Sequence, residues 1–595
     1  MHLKKIKFFV KLLFIFFVLL NKSSAETVSS DKSISDETET AQQNIDTAEV
    51  TLTITNSTVS RANTPIKVDS GLADVSISID SDSTVKSTSG DNPILGINTT
   101  RLSVDNSGTI SSSNGKSIDI YKSTDAEISN NSGAVISAVK NAIRTGGTTG
   151  DPTTGYTITN SGQIYSTNTT NSAIFSNVNS TGGTITNNSG GQIYSSGSQA
   201  TLKAGATTTI TNSGSIKNND DVDNNAIQLL GNNNTITLKN AGIVVGKITA
   251  DSGTTGNKLK FQHGFGQSYF YETSGDFTLE DLDGNQIVKG SAGSVGQGGN
   301  ETHDELLGYK SLNIRKSLNR YKKNRNNLDE SKGWGEFFGS YITRDQNNQN
   351  LALSYEYLNL GVNLINPLEN LDYVLSLETA KQNFTKDHSI NHFNMLLGVS
   401  FSSLIDDKSI GSETFILGGI SLHKSERTIL TNATTTGSLD ISDTYQSLEV
   451  LTGTKLNNNI NLIPDVGFTA SYSNTPAHNE TKYYSWETKT ILNLSAYLED
   501  EYNFKIINEN NNLNLGWTID YRKLIFGNEQ DYKINGTSAT YTQADDLTEE
   551  LTFLINLGFD KKISKSESLS FVIDAFHSTQ ETSGFQGNIN YTSKF

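Results

Sequence analysis

Residues able to do chemistry are few in the N-terminal half of the chain. Between positions 26 and 300, His263 is the only histidine and no serine sits in a Gly-Asp-Ser-Gly phrase, so a Ser/His/Asp triad lacks its parts. Asp220, Asp221 and Asp223 could gather oxygens around calcium, but the spaced Gly-Gly-x-Gly-x-Asp repeat of such sites is missing and a solvated turn accounts for them. Asp80 and Asp82 form a second acidic pair; paired acids on a β-helix can serve polysaccharide cleavage. Asn326 and Asn327 offer a point of backbone cleavage between the two halves of the chain. The 595 residues contain no cysteine, which removes disulfides, thiol nucleophiles and Cys-ligated metals, and the formal net charge of −17 opposes nucleic-acid binding. The expectation is a non-enzyme with no catalytic, cofactor-binding or metal site.

The elements that would carry these residues are β-rich. Hydrophobic residues make up 34% of the chain, with 50 Gly and only 6 Pro, a composition suited to a long all-β protein. Lys4, Lys5, Lys7 and Lys11 precede an apolar run at 12–20, followed by the small residues Ser23 and Ala25. Residues 1–25 therefore read as an export signal cleaved after Ala25, with a run too short to span a membrane as a helix. No later run reaches the roughly 18 apolar residues of a membrane helix, so membrane entry requires a closed β-barrel.

A repeat follows. An apolar-x-Asn-Ser-Gly-x-apolar phrase recurs at 104–110, 128–136, 158–164, 185–193 and 210–216, with a looser copy ending at Gly242. Each of the five full phrases leads to a second apolar position: Ile118, Ile143, Ile174, Leu202 and Ile227. Asn and Gly tolerate the backbone of sharp corners, stacked strand–turn–strand coils would line their Ile and Val inside, and Asn can stack as a side-chain ladder at the corners. This predicts a parallel β-helix over 26–250, with about eight coils between 50 and 250 and a length of roughly 40 Å. Aromatic phrases at 261–270 and 271–277 read as a cap, and 290–299 as a linker, within a segment 251–300.

Thr302 and Glu305 form a capping box for a helix placed at 301–328. Leu307, Ile314, Leu318 and Tyr321 share one face, while Lys310, Arg315, Lys316, Arg320, Lys322, Lys323 and Arg325 occupy the others. Its length of about 36 Å could cross a hydrocarbon layer, but its charge suits only a polar channel. From Trp334 the period switches to two, as in Leu513, Leu515, Trp517, Ile519 and Tyr521. Twelve long strands within 329–595, short turns at 366–370, 457–459, 508–512 and 564–566, and longer loops at 426–443, 474–489 and 528–548 describe an outer-membrane barrel. A water-soluble sandwich would also alternate, and periodicity alone leaves both open. Pro464 should lie near a rim, and a phase slip between Tyr357 and Leu358 predicts a bulge.

This order of segments resembles the monomeric autotransporters (type V secretion) of Gram-negative bacteria over essentially the whole chain. Gly333-Trp334-Gly335-Glu336-Phe337-Phe338-Gly339 looks like the first barrel strand, and 587–595 looks like the last. The resemblance implies a right-handed parallel β-helix passenger, a linker α-helix and a 12-stranded antiparallel transmembrane β-barrel. It implies a monomer in outer-membrane lipid whose terminal Phe595 is read by the barrel assembly machinery, and a passenger that crosses the pore unfolded. The passenger is expected outside the cell as an adhesin or structural rod for an unknown surface ligand; the alternative is a carbohydrate-active enzyme.

Overall fold

A computed structural model describes residues 25–147, 150–288, 292–295, 302–326, 333–345, 354–368, 371–404, 410–458, 464–480, 483–506, 510–534, 540–544 and 548–593. Outside them lie residues 1–24 of the expected signal, Asn327, most of the linker at 290–299 and the terminal Phe595. Ala25 is described as exposed and irregular. The chain divides into two units: Met1–Val295 with Ile429–Leu439, and Gly296–Thr428 with Asp440–Phe595.

The first unit is a parallel β-solenoid built from three sheets of 11, 11 and 9 strands. Each apolar position singled out by the repeat becomes one column of its interior. Val104, Ile128, Ile158, Ile185, Ile210 and Ile236 pair in register along one sheet. Ile110, Ile136, Ile164, Ile193 and Ile216 line the second, and Ile118, Ile143, Ile174, Leu202 and Ile227 the third. All are buried. Burying each such side chain stabilises the fold by about 1.5–3 kcal/mol, and a coil gains this only when neighbours cover it.

At the corners the expected Asn ladder forms, and Gly133 and Gly190 take the left-handed backbone, with φ of 81° and 84°. Asn106, Asn130, Asn160, Asn187 and Asn212 turn inward, the amides of the first four each donating to the next Oδ1 at 2.8 Å. Gly108 keeps an ordinary φ; a Cβ there would lie 2.3 Å from the carbonyl oxygens of Asp80 and Ser83 in the coil below. Close approach between coils, rather than a left-handed backbone, requires this glycine.

The solenoid is also longer than the repeat suggested. It begins at Glu26–Val28, and its sheets continue through Lys258–Gln262 to Thr278–Asp281. Eleven stacked strands span about 50 Å. Of the aromatic phrases taken for a cap, the first supplies a solenoid strand through Phe261, while Tyr269–Tyr271 stands outside the three sheets; Phe261, Tyr269 and Tyr271 are buried with the Ile columns, their rings 4.3–5.7 Å apart. The Ile236 column continues as Leu259 and Leu279, while Phe261 follows Leu238 in the column that Asn212 occupies, so the Asn-Ser-Gly phrase faded while the fold went on.

Among the described residues the second unit holds one helix, α1 (His303–Asn326). Its twelve long strands are β1 (Gly333–Arg344), β2 (Tyr355–Leu368), β3 (Leu371–Phe384), β4 (His388–Leu404), β5 (Ile410–Thr431), β6 (Ser438–Asn458), β7 (Asp465–Thr475), β8 (Lys489–Lys505), β9 (Asn511–Phe526), β10 (Glu549–Lys562), β11 (Ser568–Ser578) and β12 (Thr582–Ser593). Consecutive strands pair antiparallel, β1 pairs β12, and the ring closes. The tip of the β5–β6 hairpin, 429–439, belongs to the first unit. Closure removes every sheet edge, which a lipid environment demands.

Three expectations about strands are revised or placed. Pro464 lies just before β7, where no ladder donor is lost. No bulge occurs at Tyr357: β2 pairs both neighbours in unbroken register. Tyr357 counts as apolar in a pattern, yet here it faces inward and its hydroxyl donates to Glu378 at 2.6 Å. The segments read as long loops carry further strands: Ser438 already opens β6, and His478–Glu480, Tyr484–Trp486, Glu529–Ile534 and Tyr541–Ala544 make a four-stranded antiparallel sheet.

Candidate functional site: a lumen closed around a charged helix

The polarity of the barrel is inverted relative to a soluble domain. On β10, Leu551, Phe553, Ile555 and Leu557 are exposed while Glu550 and Thr552 are buried. Phe337 of β1 is 68% exposed and Phe585 of β12 is 64%, while Glu336 and Asn588 on the same two strands are buried. A sandwich with a dry core would turn those apolar positions inward. The two readings that periodicity left open are thus separated in favour of the barrel. No helix among the described residues is long and apolar enough to cross a membrane.

The polar interior is filled by α1. Its apolar stripe, Leu307, Ile314, Leu318 and Tyr321, packs against a patch of the wall that includes Trp334, Ile365, Val374 and Phe415. Its charged faces meet charges of opposite sign. Lys310 Nζ lies 2.6 Å from Glu449, Arg315 lies 2.8 Å from Asp520 and 3.5 Å above the Tyr497 ring, and Lys316 lies 3.1 Å from Glu499. Arg320 reaches Glu336 at 2.7 Å and Asp574 at 3.4 Å; Arg325 reaches Asp372 at 2.8 Å. At the other end of the helix the signs reverse: Asp304 pairs with Arg522 at 2.9 Å, and Glu305 pairs with Arg344 and accepts from Tyr355 at 2.8 Å. The carboxylate of Glu305, assigned to the capping box, therefore faces the wall. Thr302 Oγ1 accepts from Gln382 on β3 at 3.0 Å.

The chemical capacity of this arrangement is to hold a charged polypeptide across an apolar layer. Each of these helix ions has a partner of opposite charge, which matters because an unpaired buried one costs several kcal/mol. A cavity of about 170 Å³ remains beside the helix, lined by Lys316, Arg320, Lys323, Glu499, Asp560 and Asp574 among others. The acidic wall residues were missed as a group by sequence reasoning. Their signal was present: Asp520 sits between Ile519 and Tyr521, an acid at an inward step of an outward apolar alternation.

The acids considered for chemistry lie elsewhere. Asp80 accepts from Ser83 Oγ at 2.5 Å and from the Asn56 amide at 3.1 and 3.0 Å, holding a solenoid corner. Asp221 accepts from the Asp223 amide at 3.0 Å, and Asp220 accepts from Asn224 at 3.1 Å, so this run is a turn. His263 is buried beside Tyr271, whose hydroxyl lies 3.0 Å from Nε2, and Nδ1 accepts from the Ala241 amide at 3.2 Å. The structure does not bring these residues together.

No family model and no curated protein matches the chain. Among solved structures it is similar to the translocator domain of autotransporter NalP from Neisseria meningitidis, at 10% identity and a TM-score of 0.35, covering 48% of this chain and 98% of that one. It is similar to the transport unit of autotransporter AIDA-I from Escherichia coli at 10% identity and a TM-score of 0.33, covering 45% and 91%. A third, the beta domain of the Bordetella autotransporter BrkA, shares 9% identity at a TM-score of 0.29, covering 45% and 100%.

Proposed function

We propose that the protein is a self-secreting autotransporter of the outer membrane, whose barrel serves the export of the β-solenoid and whose solenoid stands on the cell surface as an adhesin or structural rod. One observation carries the reading: a closed twelve-stranded barrel with an apolar exterior encloses a helix whose cations and acids are paired with its inner wall. That helix directly precedes β1, so the chain upstream of it must have an exit through or beside the same lumen. A finished coil is wider than a lumen that a single helix fills, so transit precedes folding. Lack of cysteine keeps the passenger free of cross-links during transit. Long polar faces of Thr, Ser and Asn suit many weak surface contacts, and the expected partners are outer-membrane lipid, the assembly machinery that reads Phe595, and an extracellular ligand.

Mass spectrometry of peptides shaved from intact cells tests this reading. Peptides from 50–250 should dominate the shaved fraction, while peptides from α1 should stay protected. Recovery of solenoid peptides only after lysis would overturn it.

A further inference from the structure

Four of the chain's eight histidines, His303, His392, His423 and His478, gather where α1 begins. His392 on β4 and His423 on β5 are direct cross-strand partners, both buried, with their Nδ1 atoms 2.9 Å apart and rings nearly perpendicular. A hydrogen bond between two Nδ1 atoms needs one bare nitrogen, so the two rings cannot both carry a second proton and keep it. The surroundings set the direction. His392 Nε2 is buried without a protein partner and is best left bare, so His392 donates through Nδ1. His423 then accepts at Nδ1 and donates from Nε2 to Ser447 Oγ at 3.1 Å, which lies 2.7 Å from Thr475 Oγ1.

His303, the first residue of α1, closes this array. Its ring stacks on His423 with centroids 5.2 Å apart, and its Nε2 lies 3.2 Å from the Tyr445 hydroxyl on β6. Tyr445 is itself sandwiched between His423 at 4.8 Å and His478 at 4.4 Å.

Acceptors for added charge are unevenly placed. His478 has them: Nε2 lies 3.3 Å from Asp443 and Nδ1 donates to the Pro476 carbonyl at 3.1 Å. Around the other three rings, the carboxylates are already engaged. Glu449 on β6 holds Lys310, Glu378 on β3 accepts from Tyr357 and Asn359, and Glu480 holds Arg427 of β5. On the helix itself Asp304 and Glu305 are bound to Arg522 and Arg344. Lys310 and Lys489 act on His303 as like charges.

We propose that His303, His392 and His423 are an acid-released latch: uncharged, they hold the first turn of α1 against β4–β6; charged, they repel one another and free it. The proton taken up by His423 converts its Nδ1 from acceptor to donor, and the His392 bond is lost. Charge on His303 faces the same two cations, Lys310 and Lys489. Arg315, Arg320 and Arg325 lie further along the helix and pair with Asp520, Glu336 and Asp372, with no imidazole between them, so release is confined to the N-terminal turns. The latch rests on lumen geometry alone, and its failure would leave the secretion reading standing.

Hydrogen exchange of the full chain in lipid nanodiscs tests it, at about pH 7.5 and about pH 5, on either side of the ordinary imidazole value of about 6.5. After correction for intrinsic exchange, residues 303–310 should lose about tenfold protection at the lower pH while 315–325 do not. His392→Gln with His423→Asn should abolish the difference, as should His303→Gln, which changes no wall residue if the double variant fails to assemble. His478→Gln should leave it in place. Equal protection at both pH values, a response surviving in the His303→Gln protein, or one abolished by His478→Gln alone would each overturn the latch.

Discussion

Replacing Asn187 with alanine removes a side chain whose amide donates to Asn212 at 2.8 Å and to the Ser215 carbonyl at 3.2 Å while its own Oδ1 accepts from Asn160. Two neighbouring coils would be left with unmet buried groups, at about 1–3 kcal/mol each. We expect a clear fall in the solenoid's urea midpoint, whereas Asn188→Ala, whose amide reaches only Ser161, should shift it by less than half as much. Tyr156 gives a pH dependence at the same scale. Its hydroxyl is buried against Ser176 at 2.8 Å, and burial pushes the phenol up. The folded form therefore holds its proton more tightly than the unfolded chain. This stability is fully present below about pH 10 and is lost as pH rises beyond it, so alkaline melting should begin later in Tyr156→Phe. In the lumen, Glu305 and Arg344 are each 1% exposed. Glu305→Gln should destabilise by about 3–5 kcal/mol because Arg344 remains charged and buried. Thermal unfolding of that protein against the Glu305→Gln, Arg344→Met double variant checks this: the double variant should recover part of the loss.

At the scale of elements, side-chain alternation sorts substitutions on one strand into two outcomes. Ile555→Lys on β10 places a cation on the outward face, at a cost of about 2–4 kcal/mol near the bilayer midplane. Asn556→Lys, one residue on, enters the cavity beside Glu499 and Asp560. Heat-modifiable mobility on gels should show impaired assembly for the first and a folded barrel for the second. The same alternation explains what could be read in advance. Ile and Val columns recur because every coil repeats one environment, and outward apolar residues recur because lipid is uniform. The lumen has no such uniformity. Arg320 meets Asp574 across 254 positions of chain, a pairing that depends on the rotation of α1 within the ring and leaves no local trace. Loss of the Asn-Ser-Gly phrase hid the last coils, where Phe261 stands in the column of Asn212, and the tyrosine hydroxyl at 357 passed for an apolar residue out of phase.

For the whole molecule, length and order matter more than any one residue. The solenoid makes its contacts only between neighbouring coils, so it can form progressively as chain arrives, and each added coil buries the Ile of the one before. The barrel cannot: its ring closes only when β12 pairs with β1 through Trp334 and Thr592 and their neighbours. The two units therefore have opposite folding logic, one incremental and one all-or-none. That contrast suits a chain whose C-terminal part must be complete before its N-terminal part can leave. The direct test is protease digestion of residues 50–250 in intact cells, comparing the full chain with one lacking β12. Digestion should be extensive for the full chain and absent without β12; equal accessibility of the two would contradict export through the barrel.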